Sequence, residues 1–312
     1  MLDVLSIIAP VFGLIAIGFL FGRLQWLSPT AEKGVSEFAF NLAIPALLFK
    51  TIATMELGDV SVAGVWLSFY GAIATAYLLS VLGTKFVLKR PMLDGASIAM
   101  STVFGNAVML GIPISLTTFG TPAAAPLALI LSVHAPSLWL ATTLHARMAD
   151  RQVGVGLSTV AARLFDDLSH NPIILGIVAG VLWRLFGFTM PDVGLKVLNL
   201  LAQAGVPAAL VALGLSLVRF QIKGQVPTLT MIIALKLLAM PIVAFSLGYF
   251  VLGLDPVSLG VVTIVAAAPT GANAYIFANK NGRAVNSASG AVALGTVLSA
   301  ITMTVVLTVI KP

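Results

Sequence analysis

Apolar residues fill ten stretches of the chain, and short polar interruptions separate them. The stretches run Leu2–Phe21, Ala31–Ile52, Val62–Leu88, Met92–Thr118, Thr121–His145, Pro172–Phe188, Leu195–Val218, Val226–Gly253, Pro256–Asn279 and Ala284–Ile310. About 20 apolar residues in a helix cross the hydrocarbon of a bilayer. The pattern predicts an all-α polytopic membrane protein of ten transmembrane helices. The first stretch has no basic leader and no small-residue cleavage site, so it reads as a helix and not as a signal peptide. The longest hydrophilic interval is Met148–His170. Within it Leu157, Val160, Ala161, Leu164, Phe165 and Leu168 recur at helical spacing, which predicts a short amphipathic helix lying on the membrane surface.

The stretches before and after that interval look alike. The second holds Pro45 and the seventh holds Pro207; the fourth opens at Leu93-Asp94 and the ninth at Leu254-Asp255. Five helices is an odd number, so a five-helix unit followed by its copy must insert upside down. The expected organisation is residues 1–147 as a first repeat, 148–170 as a cytoplasmic linker and 171–312 as an inverted second repeat. In this plan helices four and nine cross, as in the sodium/proton-antiporter-like fold.

Composition agrees with lipid as the main solvent. Of the 312 residues 59% are hydrophobic and 9% charged, with a mean hydropathy of +1.07; an average soluble protein has roughly 25% charged residues. The net charge of +6 reads as basic loops and not as a nucleic-acid surface. With both termini placed outside, the cytoplasmic side collects Arg23, Lys33, Lys85, Lys89, Arg90, Arg147, Arg151, Arg163, Arg219, Lys223, Lys280 and Arg283. The outside collects Lys50, Arg184, Lys196 and Lys311. Twelve against four fixes the expected orientation in a bacterial inner membrane. Cysteine is absent and the three histidines have no paired spacing, so neither a metal site nor a cofactor is expected.

Candidate chemistry lies where the helical pattern is interrupted. The fourth stretch contains Gly105, Asn106, Gly111, Ile112 and Pro113; the ninth contains Pro269, Thr270, Gly271 and Asn273. Proline removes a backbone donor and collides with the preceding turn. A break in lipid must face protein or water. Two such breaks at equivalent depths would aim half-helix N-termini at a shared cavity, and those ends attract a carboxylate. Asn106 and Asn273 can hydrogen-bond there without a buried charge. The plainer alternative is close helix packing or a simple kink.

Lys236 lies at least ten residues from either end of its stretch, too deep to snorkel easily. It could attract an anion, balance the carbonyl end of a broken helix, or act as a structural counter-charge. No Asp or Glu lies deep in a span; Glu37 comes nearest. Any coupling to H+ or Na+ would therefore need neutral oxygens or Lys236. His134 is open to two roles, proton relay or hydrogen-bonded structural residue. Pro45, Pro207 and Pro241 are expected to kink helices. Asn41, one turn before Pro45, could line the cavity or satisfy a local carbonyl.

These residues resemble the auxin efflux carrier family, in its bacterial members related to the plant PIN-type auxin carriers. The resemblance covers essentially the whole chain. It rests on Asn106 through Pro113, on Pro269-Thr270-Gly271 with Phe277-Ala278 downstream, on Asn171-Pro172, on Ala204-Gly205, and on Lys236 with Pro241. It implies two inverted five-helix repeats with a scaffold of helices 1, 2, 6 and 7. It also implies a transport unit of helices 3–5 and 8–10, elevator-type alternating access and a homodimer. Asn106 would be a substrate ligand. Gly105 stands where the plant pattern has proline, and Asn273 where the plant proteins carry an apolar residue, which points to a more polar pocket. The expected substrate is a small organic anion, either a carboxylate or dicarboxylate such as malonate or malate, or an auxin-like acid. The long cytoplasmic loop of many plant carriers is absent. A sodium-coupled bile-acid-type symporter and an anion channel are the competing readings. An intramembrane enzyme is disfavoured, because no HExxH, aspartate pair or Ser–His pairing stands out.

Overall fold

The computed structural model describes residues 2–54, 60–150, 166, 169–221 and 225–310. The amphipathic helix expected within 148–170 falls almost wholly outside them. The helices, in order, are α1 (Leu2–Arg23), α2 (Pro29–Thr54), α3 (Val62–Val87), α4 (Met92–Val103), α5 (Ala107–Phe119) and α6 (Ala124–Asp150). They continue as α7 (Pro172–Leu185), α8 (Asp192–Leu217), α9 (Val226–Val251), α10 (Pro256–Ala267), α11 (Ala272–Asn281) and α12 (Val285–Val309). Seven of them, α1, α2, α3, α6, α8, α9 and α12, are long and apolar enough to cross a membrane. Every regular element among the described residues is helical, and the chain is a polytopic membrane protein.

The fourth and ninth apolar stretches are each divided into two helices, α4/α5 and α10/α11. The sixth is shorter than its hydropathy indicates. Helix α7 ends at Leu185, and Gly187 follows at φ 65°, a left-handed conformation that closes the helix.

Proline shapes three helices in the same way. Pro45, Pro113 and Pro241 each follow a π-helical turn, at Ala39–Ala43, Ala107–Gly111 and Leu235–Ala239. The ring cannot sit against the carbonyl four residues back, and a widened turn relieves the clash. Pro207 sits in α8 without such a turn.

Small residues bring the helices together, since packing and not hydrophobicity drives association in lipid. Helix α1 runs along α8: a Cβ added at Gly214 would stand 2.1 Å from the Ile15 carbonyl oxygen, and one at Gly18 would stand 2.3 Å from that of Val211. Helix α2 meets α7 through Gly176 against Pro45 and Gly180 against Phe49, and meets α8 through Gly205 against Ala43. These four helices pack as one group.

The remaining helices surround α4 and α10. There Ser68 on α3 donates to the Ala244 carbonyl on α9 (2.8 Å), and Trp66 on α3 donates to the Leu129 carbonyl on α6 (2.8 Å). Gly260 on α10 accommodates the Phe119 ring of α5. The two groups share a core, with α1 and α8 side chains packed on α5, α10 and α12.

Candidate substrate cavity

Helix α4 stops at Val103 because Phe104 turns to extended geometry (φ −77°, ψ 94°). Helix α10 stops at Ala267, and Ala268 does the same (φ −58°, ψ 135°). The two extended segments cross as a short antiparallel bridge between Gly105 and Thr270. Asn106 N–H donates to the Pro269 carbonyl (2.7 Å) and Gly271 N–H donates to the Phe104 carbonyl (2.8 Å). Each break thus supplies the backbone partners that the other lost, which meets the demand that lipid imposes on irregular backbone.

At the C-terminal end of each half-helix one carbonyl is met by a side chain. The Thr270 hydroxyl, 1% exposed, donates to the Ser101 carbonyl near the end of α4 (2.8 Å). Lys236 Nζ, also 1% exposed, donates to the Ala266 carbonyl near the end of α10 (2.8 Å) and lies 3.2 Å from Met240 Sδ. A Cβ at Gly105 would stand 2.9 Å from Lys236 Nζ. Glycine is what lets the lysine lie behind the crossover.

The N-terminal ends face a cavity of about 360 Å³. The Asn106 side-chain oxygen caps α5 by accepting from Met109 N–H (3.2 Å); α11 begins at Gly271 with no side-chain cap. Residues at the start of both helices, Ala107, Val108, Ala272 and Asn273, line the cavity. Opposite elements add Phe40 and Asn41 from α2, Leu131, His134 and Ala135 from α6, and Asn171 through Ile174 from α7. Asn171 caps α7, accepting from Ile173 and Ile174 N–H at 3.0 and 3.4 Å. His134 is 4% exposed, between the rings of Phe69 (5.6 Å) and Phe104 (5.0 Å), and its polar neighbour is the Gly105 backbone, with no side chain in hydrogen-bonding geometry to either ring nitrogen.

The structure therefore brings Gly105, Asn106, Gly271, Asn273, Asn41 and His134 to one cavity. Pro269 and Thr270 build the crossover behind it. Gly111, Ile112 and Pro113 do not line it: they are buried within α5, where a Cβ at Gly111 would stand 3.4 Å from Val265 on α10. Lys236 does not line it either, because its amine is committed to the α10 carbonyl end. Pro45 packs on Gly176, Pro207 lies in α8, and Pro241 borders an apolar groove with Leu237, Phe245 and Val305. Asn171 is a lining residue that chain position alone did not single out; Asn before Pro at a helix start was its signal. Among acidic residues, Glu37 is largely exposed beside Lys33 (3.8 Å), and Asp94 is buried but paired with Arg90 (3.0 Å). Among the described residues no cluster of His, Cys, Asp and Glu could hold a metal ion.

A family model described as "Membrane transport protein" matches residues 3–307. A Rhizobium meliloti (strain 1021) protein described as a candidate malonate transporter is 26% identical over 315 residues, covering 100% of this chain and 97% of that one. An uncharacterized transporter from Methanothermobacter thermautotrophicus is 22% identical over 295 residues, 94% of each chain. The lysosomal cholesterol signaling protein of Mus musculus is 24% identical over 245 residues, 74% of this chain but 28% of the mouse protein. With its whole length matched, the chain belongs to this membrane transport protein family, the auxin efflux carrier family.

Proposed function

We propose that the protein is a secondary active transporter of a small organic anion, a carboxylate or a dicarboxylate such as malonate. One observation carries this reading: the N-termini of α5 and α11 open onto one cavity while the crossing backbone behind them is hydrogen-bonded from one break to the other. Helix N-termini carry partial positive charge and unfilled N–H donors, which is what a carboxylate needs at half-depth in a membrane. Gly105, Asn106, Gly271 and Asn273 form the anion side of the site, with Asn41 and His134 facing them. The whole-length likeness to a candidate malonate transporter supports the substrate class.

In this reading α4/α5 and α10/α11 are two broken spans, giving ten spans in two inverted repeats. Paired features support it: α4 and α10 are both 12 residues long, and α3 and α9, which precede them, both end in a π-helical turn, Gly83–Val87 and Leu247–Val251. The group α1, α2, α7 and α8 is the scaffold, and the other helices move against it as an elevator. Homodimerisation through the scaffold, an inner-membrane location and external termini complete the proposal.

The test is a thermal-shift screen of purified protein against small carboxylates, with and without sodium and across pH. Small carboxylates are expected to raise the melting temperature. Asn106→Asp retains the oxygen that caps α5 but replaces the amide donor with a negative charge, so it should keep the fold and lose the shift. A flat response to every carboxylate, or an equal response in Asn106→Asp, would overturn the proposal.

A further inference from the structure

Resting on the transporter reading, we infer that the cavity takes its guest as a monoanion. A dicarboxylate then enters with one carboxyl group still protonated, and that group hydrogen-bonds to His134. The argument begins with the wall. None of the described residues lining the cavity carries a charged side chain; its polar members are Asn41, Asn106, Asn171, Asn273 and His134. Compensation comes from helix ends, each worth about half an elementary charge. The ends of α5 and α11 keep open N–H groups. The end of α7 does not, because Asn171 already accepts from Ile173 and Ile174, and Pro172 has no N–H. Two open ends sum to about one positive charge and balance one carboxylate.

A second carboxylate finds no counter-charge in this wall. Lys236 lies behind the crossover, where it donates to Ala266 and its one charge is set against the carbonyl ends of α4 and α10, about half an elementary charge each. An ion taken from water without a partner is costly, whereas a neutral carboxyl group is not. His134 has the complementary chemistry. Neutral imidazole offers one donor and one acceptor; with its N–H toward the Gly105 carbonyl, the other nitrogen is a bare acceptor for the carboxyl O–H of the guest. The charged group that acts on His134 is Lys236 on α9; Tyr70 on α3 reaches α6 one turn away, its hydroxyl donating to the Ile130 carbonyl (3.1 Å). Helices α2, α4, α5, α7 and α11 present no charged side chain to the cavity. The proton arrives on the guest and leaves with it, so no bond in the protein changes.

Titration calorimetry of the full chain with malonate and with monomethyl malonate, from below to well above the second ionisation of malonic acid, tests this. Above that ionisation malonate affinity should weaken by about tenfold per pH unit, following the vanishing monoanion. The ester, a fixed monoanion, should bind equally across the range. His134→Gln should keep the slope, and His134→Phe, with its melting checked, should weaken malonate binding by about tenfold. Malonate affinity that stays flat or rises with pH would overturn the inference. So would loss of the slope in His134→Gln, which would put the proton on the ring, or wild-type affinity in His134→Phe. Silence from all carboxylates would take the transporter reading down as well. Binding that requires Asn106 but lacks the slope would remove this inference alone.

Discussion

At the crossover, Thr270 and Lys236 terminate two half-helices from opposite halves of the chain, one with a hydroxyl and one with an amine. Lys236→Met fills similar volume but withdraws the donor from the Ala266 carbonyl. An unsatisfied buried acceptor costs about 1–3 kcal/mol, so the variant should melt lower, while its affinity for malonate stays within about threefold of wild type. Unchanged melting with lost affinity would move Lys236 into the substrate site. The sequence showed that Lys236 is deep in the membrane and left three roles open. Depth follows from position along a helix, whereas the direction of a side chain depends on how α9 is rotated against α10, and no local pattern records that. Asn106 was legible because an asparagine beside Gly105 and ahead of Pro113 marks a helix start. Gly111, Ile112 and Pro113 carry the same signal, but they lie buried within α5 and do not line the cavity.

At the level of helices, contacts between glycine and backbone hold α1 to α8. Gly214→Val would force the pair apart, since even a Cβ would meet the Ile15 carbonyl oxygen at 2.1 Å. Overpacking of this kind costs typically 1–3 kcal/mol. The purified variant should show a lower melting temperature and weaker α1–α8 cross-linking; wild-type melting would show that the helices can part cheaply. Most helices were legible from hydropathy, and the two breaks were legible from Gly, Asn and Pro. The π-helical turns before Pro45, Pro113 and Pro241 were not, because an extra residue in one turn alters the hydrogen-bond ladder and leaves composition unchanged. The early end of α7 was also hidden: Phe186 and Phe188 extend the apolar run past the point where Gly187 closes the helix.

For the whole molecule, the basic-residue count predicts which loops face the cytoplasm. The chain has no cysteine, so single introduced thiols report cleanly. Thr189→Cys, in the exposed loop between α7 and α8, should react with an impermeant maleimide added to intact cells. Lys33→Cys, exposed at the start of α2, should react only after the membrane is opened. The reverse pattern would invert the proposed topology. The grouping of α1, α2, α7 and α8 joins helices from both halves of the chain. Only the resemblance to a family suggested this grouping, because hydropathy locates helices without saying which of them touch.

The crossing of the two breaks has a consequence for biosynthesis. When α4 and α5 leave the ribosome, the groups at Ser101, Phe104 and Asn106 have no mates; Thr270, which serves Ser101, lies 169 residues further on. Until then the nascent front half must be sheltered by an insertase or by water, because bare amides cannot rest among acyl chains. Residues 1–147 expressed alone should be degraded rapidly, and supplying the remainder as a separate polypeptide should restore both pieces together.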